Sequence, residues 1–118
     1  MKLTLPKPPT TNTYYAVTNR GPFARMYISK EGKDWGKAAT EAIKKQYKKK
    51  SPIDSECEIW LTVYTSSARD ADATTKPVLD ILQTCGVILN DKLFYAVHAI
   101  REKCKKTEDR VEVEIMGY

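Results

Sequence analysis

A chain of 118 residues with 42% hydrophobic and 30% charged residues has room for one sizeable core and not for two, and its composition excludes a disordered polyion. No run of 18 apolar residues exists, so a membrane-spanning segment is excluded, and "MKLTLPKPPTTN" lacks an apolar signal core. Cys57, Cys85 and Cys104 are odd in number and widely spaced, which argues against a disulfide framework or a zinc site and fits reduced thiols in the cytoplasm.

The chain opens on a short strand, "KLTLP" (2–6), followed by a loop over 7–24 in which Pro8 and Pro9 forbid regular pairing. "ARMYIS" (24–29) reads as a second short strand. Ser29 is a suitable N-cap for a helix running to about Lys50. Trp35, Ala38, Ala39, Ala42, Ile43 and Tyr47 recur at spacings of three and four and give that helix one core-facing stripe. Lys37, Lys44, Lys45, Lys48 and Lys49 lie largely away from it.

"SPID" breaks the chain before "CEIWLTVYTS" (57–66), which alternates as a strand does. A second helix runs from Thr74 or Thr75 to Cys85, with Pro77 tolerated in its first turn and Gly86 as its stop. Apolar residues cover most of this helix. Lys76, Asp80 and Gln83 form one narrow polar stripe at i, i+4 and i+7. After "VIL" and the turn "NDK", a strand is expected over about 93–102. The charged hairpin "EKCKKTED" then leads into "RVEVEIM", whose alternation marks a strand with one solvated face. The expected fold is α+β: a single domain over 1–118, with a mixed, largely antiparallel sheet and two helices packed on it.

Charge is unevenly spread. Residues 1–50 hold twelve Lys and Arg against three Asp and Glu, a net of +9, and the remainder holds eight against twelve, a net of −4, giving the total of +5. The excess culminates in "KKQYKKK" (44–50), with a second run at "REKCKK" (101–106). Such clustering is what phosphate neutralisation requires, and it is equally the signature of a solvated surface. Lys44, Lys45, Lys48 and Lys49 are candidates for DNA contact. Tyr14, Tyr15, Arg20 and Arg25 in the N-terminal loop are candidates for exposed bases and phosphates, or else simply anchor that loop.

Against this basic background, "SSARDADATTKPVLDILQTCGVILNDKLFYAV" (66–97) gathers Asp70, Asp72, Asp80 and Asp91. Asp70 and Asp72 are placed where strand gives way to helix, and two residues apart in extended chain they share a side, roughly 7 Å apart. Lys76 is one turn beyond Asp72, and Asp91 follows a turn that can return toward the pair. Two chemistries fit. The acids cap a helix, pair with Lys76 and occupy a turn, or they hold a divalent cation that presents water to a phosphate. Bare carboxylates repel a polyanion unless a metal sits between, which adds weight to the second and leaves both open.

"DADATTKPVLDIL" followed by "LND" resembles the RusA family of Holliday junction resolvases, as do "PPTTN" (8–12) and the "SKEG" (29–32) that opens the first helix. The resemblance covers nearly the whole chain, and its specific part is Asp-x-Asp, a Lys four residues on, an Asp four beyond that and a later Asp after a Gly-containing turn. It implies an endodeoxyribonuclease that resolves four-way junctions by paired nicks in recombination and repair, in a bacterial or phage-infected cell. It implies Asp70, Asp72 and Asp91 as magnesium-binding catalytic acids (with manganese able to substitute), Lys76 as a catalytic cation and Asp80 as an accessory member. The family usually has Asn directly after the second Asp, where this chain has Ala73; Thr74 and Thr75 are then the available helix caps. Two opposed nicks require two sites, so a homodimer is expected. The rival reading is a non-catalytic basic DNA-binding protein of the same fold; a basic protein-interaction module, with no preference for junctions over duplex, is a third.

Overall fold

A computed structural model describes residues 1–9, 14–18, 25–49, 51–67 and 71–118, with the side chains of 16–18, 25, 26, 71 and 72 left aside. Four strands form the main sheet: β1 (Lys2–Pro6), β4 (Cys57–Thr65), β5 (Phe94–Lys103) and β6 (Arg110–Met116), in the order β1-β6-β4-β5. β1 and β6 pair antiparallel, as do β6 and β4, while β4 and β5 run parallel. The sheet is therefore mixed and largely antiparallel, and with α1 (Lys30–Gln46) and α2 (Thr75–Thr84) it makes an α+β fold. Among the described residues no helix is long and apolar enough to cross a membrane.

The core follows from strand alternation. Along β4, Cys57, Ile59, Leu61, Val63 and Thr65 are buried, and the residues between them are half-buried on the other face. Val111, Val113 and Ile115 of β6 and Leu3 and Leu5 of β1 complete the apolar face. Onto it α1 lays Trp35, Ala39 and Ile43, and α2 lays Pro77, Val78, Ile81 and Leu82. Ser29 caps α1, its hydroxyl oxygen accepting from the Gly32 N–H at 3.1 Å. Gly86 ends α2 with φ +76°, the left-handed conformation that only glycine adopts without strain.

Three expectations need correction. The loop expected over 7–24 contains a strand: β2 (Tyr15–Thr18) pairs antiparallel with β3 (Arg25–Ile28) in a separate two-stranded sheet. "YAVT" carries β-forming residues, but prolines on both sides mask so short a run. The first helix stops at Gln46, not Lys50, and Tyr47 turns extended. Two causes are visible. Like charges at i and i+4 (Lys44 with Lys48, Lys45 with Lys49) oppose continuation. The Gln46 amide is also held across β1, accepting from the Thr4 N–H and donating to the Thr4 carbonyl, each at 2.7 Å. Finally, "EKCKKTED" is not a hairpin: β5 and β6 lie on opposite sides of β4, so the segment passes over the end of β4. The unit β4–α2–β5 is a parallel crossover instead.

Candidate nuclease site

The 3₁₀ turn Ala71–Thr74 carries the Asp72 backbone directly into α2. Thr74 occupies the cap position, yet its side chain makes no capping bond, against the expectation that Thr74 or Thr75 would cap. Because one side of α2 is packed into the core, Lys76, Asp80 and Gln83 are left as a row on its outer face. Each has a specific neighbour. The Tyr15 hydroxyl donates to Asp80 Oδ2. Lys76 Nζ stands 5.0 Å from the centre of the Tyr15 ring, a cation–π contact. Gln83 Oε1 accepts the Asp91 backbone N–H at 2.9 Å, and the neighbouring Asn90 side chain accepts from Lys92 N–H at the same distance. The row thus links the turn before α2, which holds Asp72, to the turn after it, which holds Asp91.

Tyr15 is braced from behind. It meets Tyr14 edge-to-face at 4.7 Å, and Tyr14 meets Trp35 of α1 at 5.9 Å. The Tyr14 carbonyl accepts the Ser29 N–H at 2.8 Å, fixing the start of β2 against the start of α1. Burial, then the Asp80 hydrogen bond and charge, push the Tyr15 hydroxyl far above its ordinary range. Burial and the same carboxylate raise Tyr14 as well. Both phenols stay protonated, so Tyr15 acts as a fixed donor to Asp80 and not as a base.

Lys76 and Asp80 therefore lie along one row, with the Asp72 backbone at its start and the Asp91 backbone joined to its far end through Gln83. Asp70 and Arg20 lie outside the described residues, as does the Arg25 side chain, although its backbone belongs to β3. Tyr14 needs correction as a DNA-contacting residue: at 3% exposure it is a core side chain with no free ring face for a base. Lys44, Lys45, Lys48 and Lys49 are exposed. α1 and α2 lie side by side, the Cys85 thiol 3.5 Å from the Thr40 hydroxyl. Lys48 Nζ donates to the Lys44 carbonyl at 3.0 Å, and Lys49 Nζ stands 5.6 Å from the Tyr118 ring.

A network unseen from sequence lies at the C-terminal end of β4, just before the acids. Lys7 Nζ donates to Asp109 Oδ2 at 2.6 Å and to the Thr65 hydroxyl at 3.3 Å. Asp109 Oδ1 accepts from the Ser66 N–H at 3.0 Å and from the Cys104 thiol at 3.3 Å. The Lys7 hydrogen bond, helped by those of Cys104 and Ser66 against some desolvation, holds the Asp109 carboxyl at a pKa of about 2. No local signal announces this pair, since 102 positions separate Lys7 from Asp109.

Among the described residues no group of three or more metal-binding side chains gathers. The chemistry of the acid turn nevertheless suits a hard, hydrated cation. Its candidate donors are carboxylate oxygens, and the Thr74 and Thr75 hydroxyl oxygens are buried there without a partner among the described residues, open to a bound water.

With that geometry in view, the family model described as endodeoxyribonuclease RusA matches residues 6–116, from the end of β1 to the end of β6. The chain belongs to the RusA endodeoxyribonuclease family. The matched span includes Asp70, Asp72, Lys76, Asp80 and Asp91. The chain is also similar to the crossover junction endodeoxyribonuclease RusA of Aquifex aeolicus (strain VF5), at 29% identity over 87 residues, covering 72% of this chain and 68% of that protein. As a RusA-family member it is an endodeoxyribonuclease, an enzyme that cuts within a DNA strand.

Proposed function

We propose that this RusA-family chain resolves four-way DNA junctions, cutting with magnesium bound by Asp70, Asp72 and Asp91. The observation that carries this reading is the row Lys76–Asp80–Gln83, held between the two acid-bearing turns by Tyr15 on one side and the Asp91 backbone on the other. A divalent ion at such carboxylates supplies an oriented water and neutralises charge building on the phosphate. The chain's own residues do the rest. Lys76 places an ammonium at the reacting phosphate and favours the charge that develops on its oxygens. Asp80 is held by the Tyr15 hydroxyl, and the same Tyr15 ring faces the Lys76 ammonium, so Tyr15 orients both side chains. Lys44, Lys45, Lys48 and Lys49 neutralise DNA phosphates away from the scissile bond. Resolution needs two nicks related by a two-fold axis, so the working unit is a homodimer with one set of these residues per chain.

The test is incubation of a synthetic four-way junction and a linear duplex of the same sequence, with and without magnesium. Paired nicks in the junction alone, and only with the metal, are expected. Equal cutting of both substrates, or binding without any cutting, would overturn the proposal, the latter in favour of a non-catalytic DNA-binding protein.

A further inference from the structure

We propose that the Lys7–Asp109 ion pair is a positioning device that fixes the chain leaving β4, at Ser66 and Ser67, on its way to the turn that carries Asp72. This inference rests on the reading of Asp72 as a metal-binding acid. The sheet itself does not need the pair to hold the end of β4: Thr65 is already in register with Lys103 of β5, and Tyr64 with Arg110 of β6. What the pair adds lies beyond the last ladder position. Asp109 takes the Ser66 N–H, and the Thr65 hydroxyl, which accepts from Lys7, also accepts the Ser67 N–H at 3.2 Å. Residues 66 and 67 are thereby tied to two remote segments, one just after β1 and one between β5 and β6.

The other end of the same stretch is fixed where Ala71–Thr74 runs into the buried start of α2. Asp70 is four residues past Ser66, within about 14 Å of it even in fully extended chain. The chain is therefore fixed at Ser66 and Ser67 on one side and at Ala71–Thr74 on the other. The pair is well placed for this: its side chains are 18% and 20% exposed, so solvent competes weakly for the 2.6 Å contact. Lys7→Met keeps the aliphatic stem and removes the charge, and Asp109→Asn keeps the shape and weakens both tethers.

The experiment uses the full chain in four forms: wild type, Lys7→Met, Asp109→Asn and Lys7→Arg. Amide hydrogen exchange is followed without metal, and manganese affinity is measured by calorimetry. In the first two variants residues 66–74 should exchange faster while Ile59–Val63 stay protected, and manganese should bind about tenfold more weakly, the scale expected when a supporting residue is lost. Affinity for a four-way junction without metal should change less than about twofold, and Lys7→Arg should restore manganese binding to within about twofold. Unchanged exchange at 66–74 with unchanged manganese affinity would overturn the proposal. So would equal loss of protection along β4, which would make the pair a support for the sheet. Asp72→Asn in the same titration separates the two readings: wild-type manganese binding by that variant would refute the metal assignment, whatever the exchange data say about the tether.

Discussion

The row along α2 and the lysines at the end of α1 are the two charged surfaces that flank the same core, and they are held in opposite ways. Asp80 is fixed by the Tyr15 hydroxyl, Lys76 faces that same ring, and the Asp91 backbone is fixed by Gln83. Lys44 and Lys45 sit exposed in the last turn of α1, and among the described residues Lys48 bonds back to the Lys44 carbonyl and Lys49 stands over the exposed Tyr118 ring. The difference fits the roles proposed for the two surfaces. Bond breaking at one phosphate needs groups fixed to fractions of an ångström, whereas neutralising a DNA backbone needs charge that follows it. Removing one residue from the row should therefore act on rate, and removing lysines from the tail should act on binding and on its salt dependence.

Within the row itself, the largest expected effect is at Lys76. Lys76→Ala should slow junction cleavage about a hundredfold while junction affinity falls only a few-fold, as read from single-turnover rates beside a binding titration. Equal losses in the two would move Lys76 from the row to the binding surface and erase the contrast.

How much of this was legible in the sequence depends on the range of the interaction. The alternation of β4 and β6, the Ser29 cap, the Gly86 stop and the polar stripe of α2 are local patterns, and all are found as read. The α+β class followed from their order. What escaped was set by partners far along the chain. Tyr15 and Asp80 are 65 positions apart, so the sequence left Tyr15 open between contacting DNA and anchoring its loop, and named no partner in the row. Tyr14 was open in the same way, and its packing against Trp35 decides for anchoring. β5 was expected to fold back on β6, yet pairing with β4 lets α2 bury its apolar face in the crossover. No pattern in "EKCKKTED" records that choice.

Next in size is the support beneath Tyr15. A Cβ on Gly32 would come within 2.7 Å of the Tyr14 carbonyl oxygen and 2.8 Å of Ile28 Cγ2. Gly32→Ala should cost about 2 kcal/mol of stability in urea melts, because backbone cannot retreat as a flexible side chain can. It should also slow cleavage by displacing Tyr15, with little change in the salt dependence of binding. A neutral result would mean that the start of α1 and the start of β2 are not rigidly coupled.

The lysine surface should respond more mildly. Replacing Lys44, Lys45, Lys48 and Lys49 together with Gln should weaken junction binding and reduce its log–log salt slope by up to about 3.5, with cleavage of fully bound junction unchanged. An unaltered slope would remove this helix end from the DNA surface and leave "REKCKK" as the better candidate.

The smallest effect concerns the base of the acid turn. Asp109 is held at a pKa of about 2, below the ordinary carboxylate value of 3.8, so its contribution to stability is complete above about pH 4 and is lost as pH falls toward 2. Asp109→Asn should flatten that part of the acid-unfolding profile. A profile as steep as wild type would show that other carboxylates account for it.

The most direct test of the division between a cutting row and a binding tail is Asp72→Asn, assayed for junction binding and for cleavage in saturating magnesium on the same substrate. The account predicts that cleavage falls by about a hundredfold or more while junction affinity is unchanged or tighter, since a carboxylate charge next to DNA has been removed. Cleavage at the wild-type rate, or a fall in cleavage matched by an equal loss of binding, would contradict it.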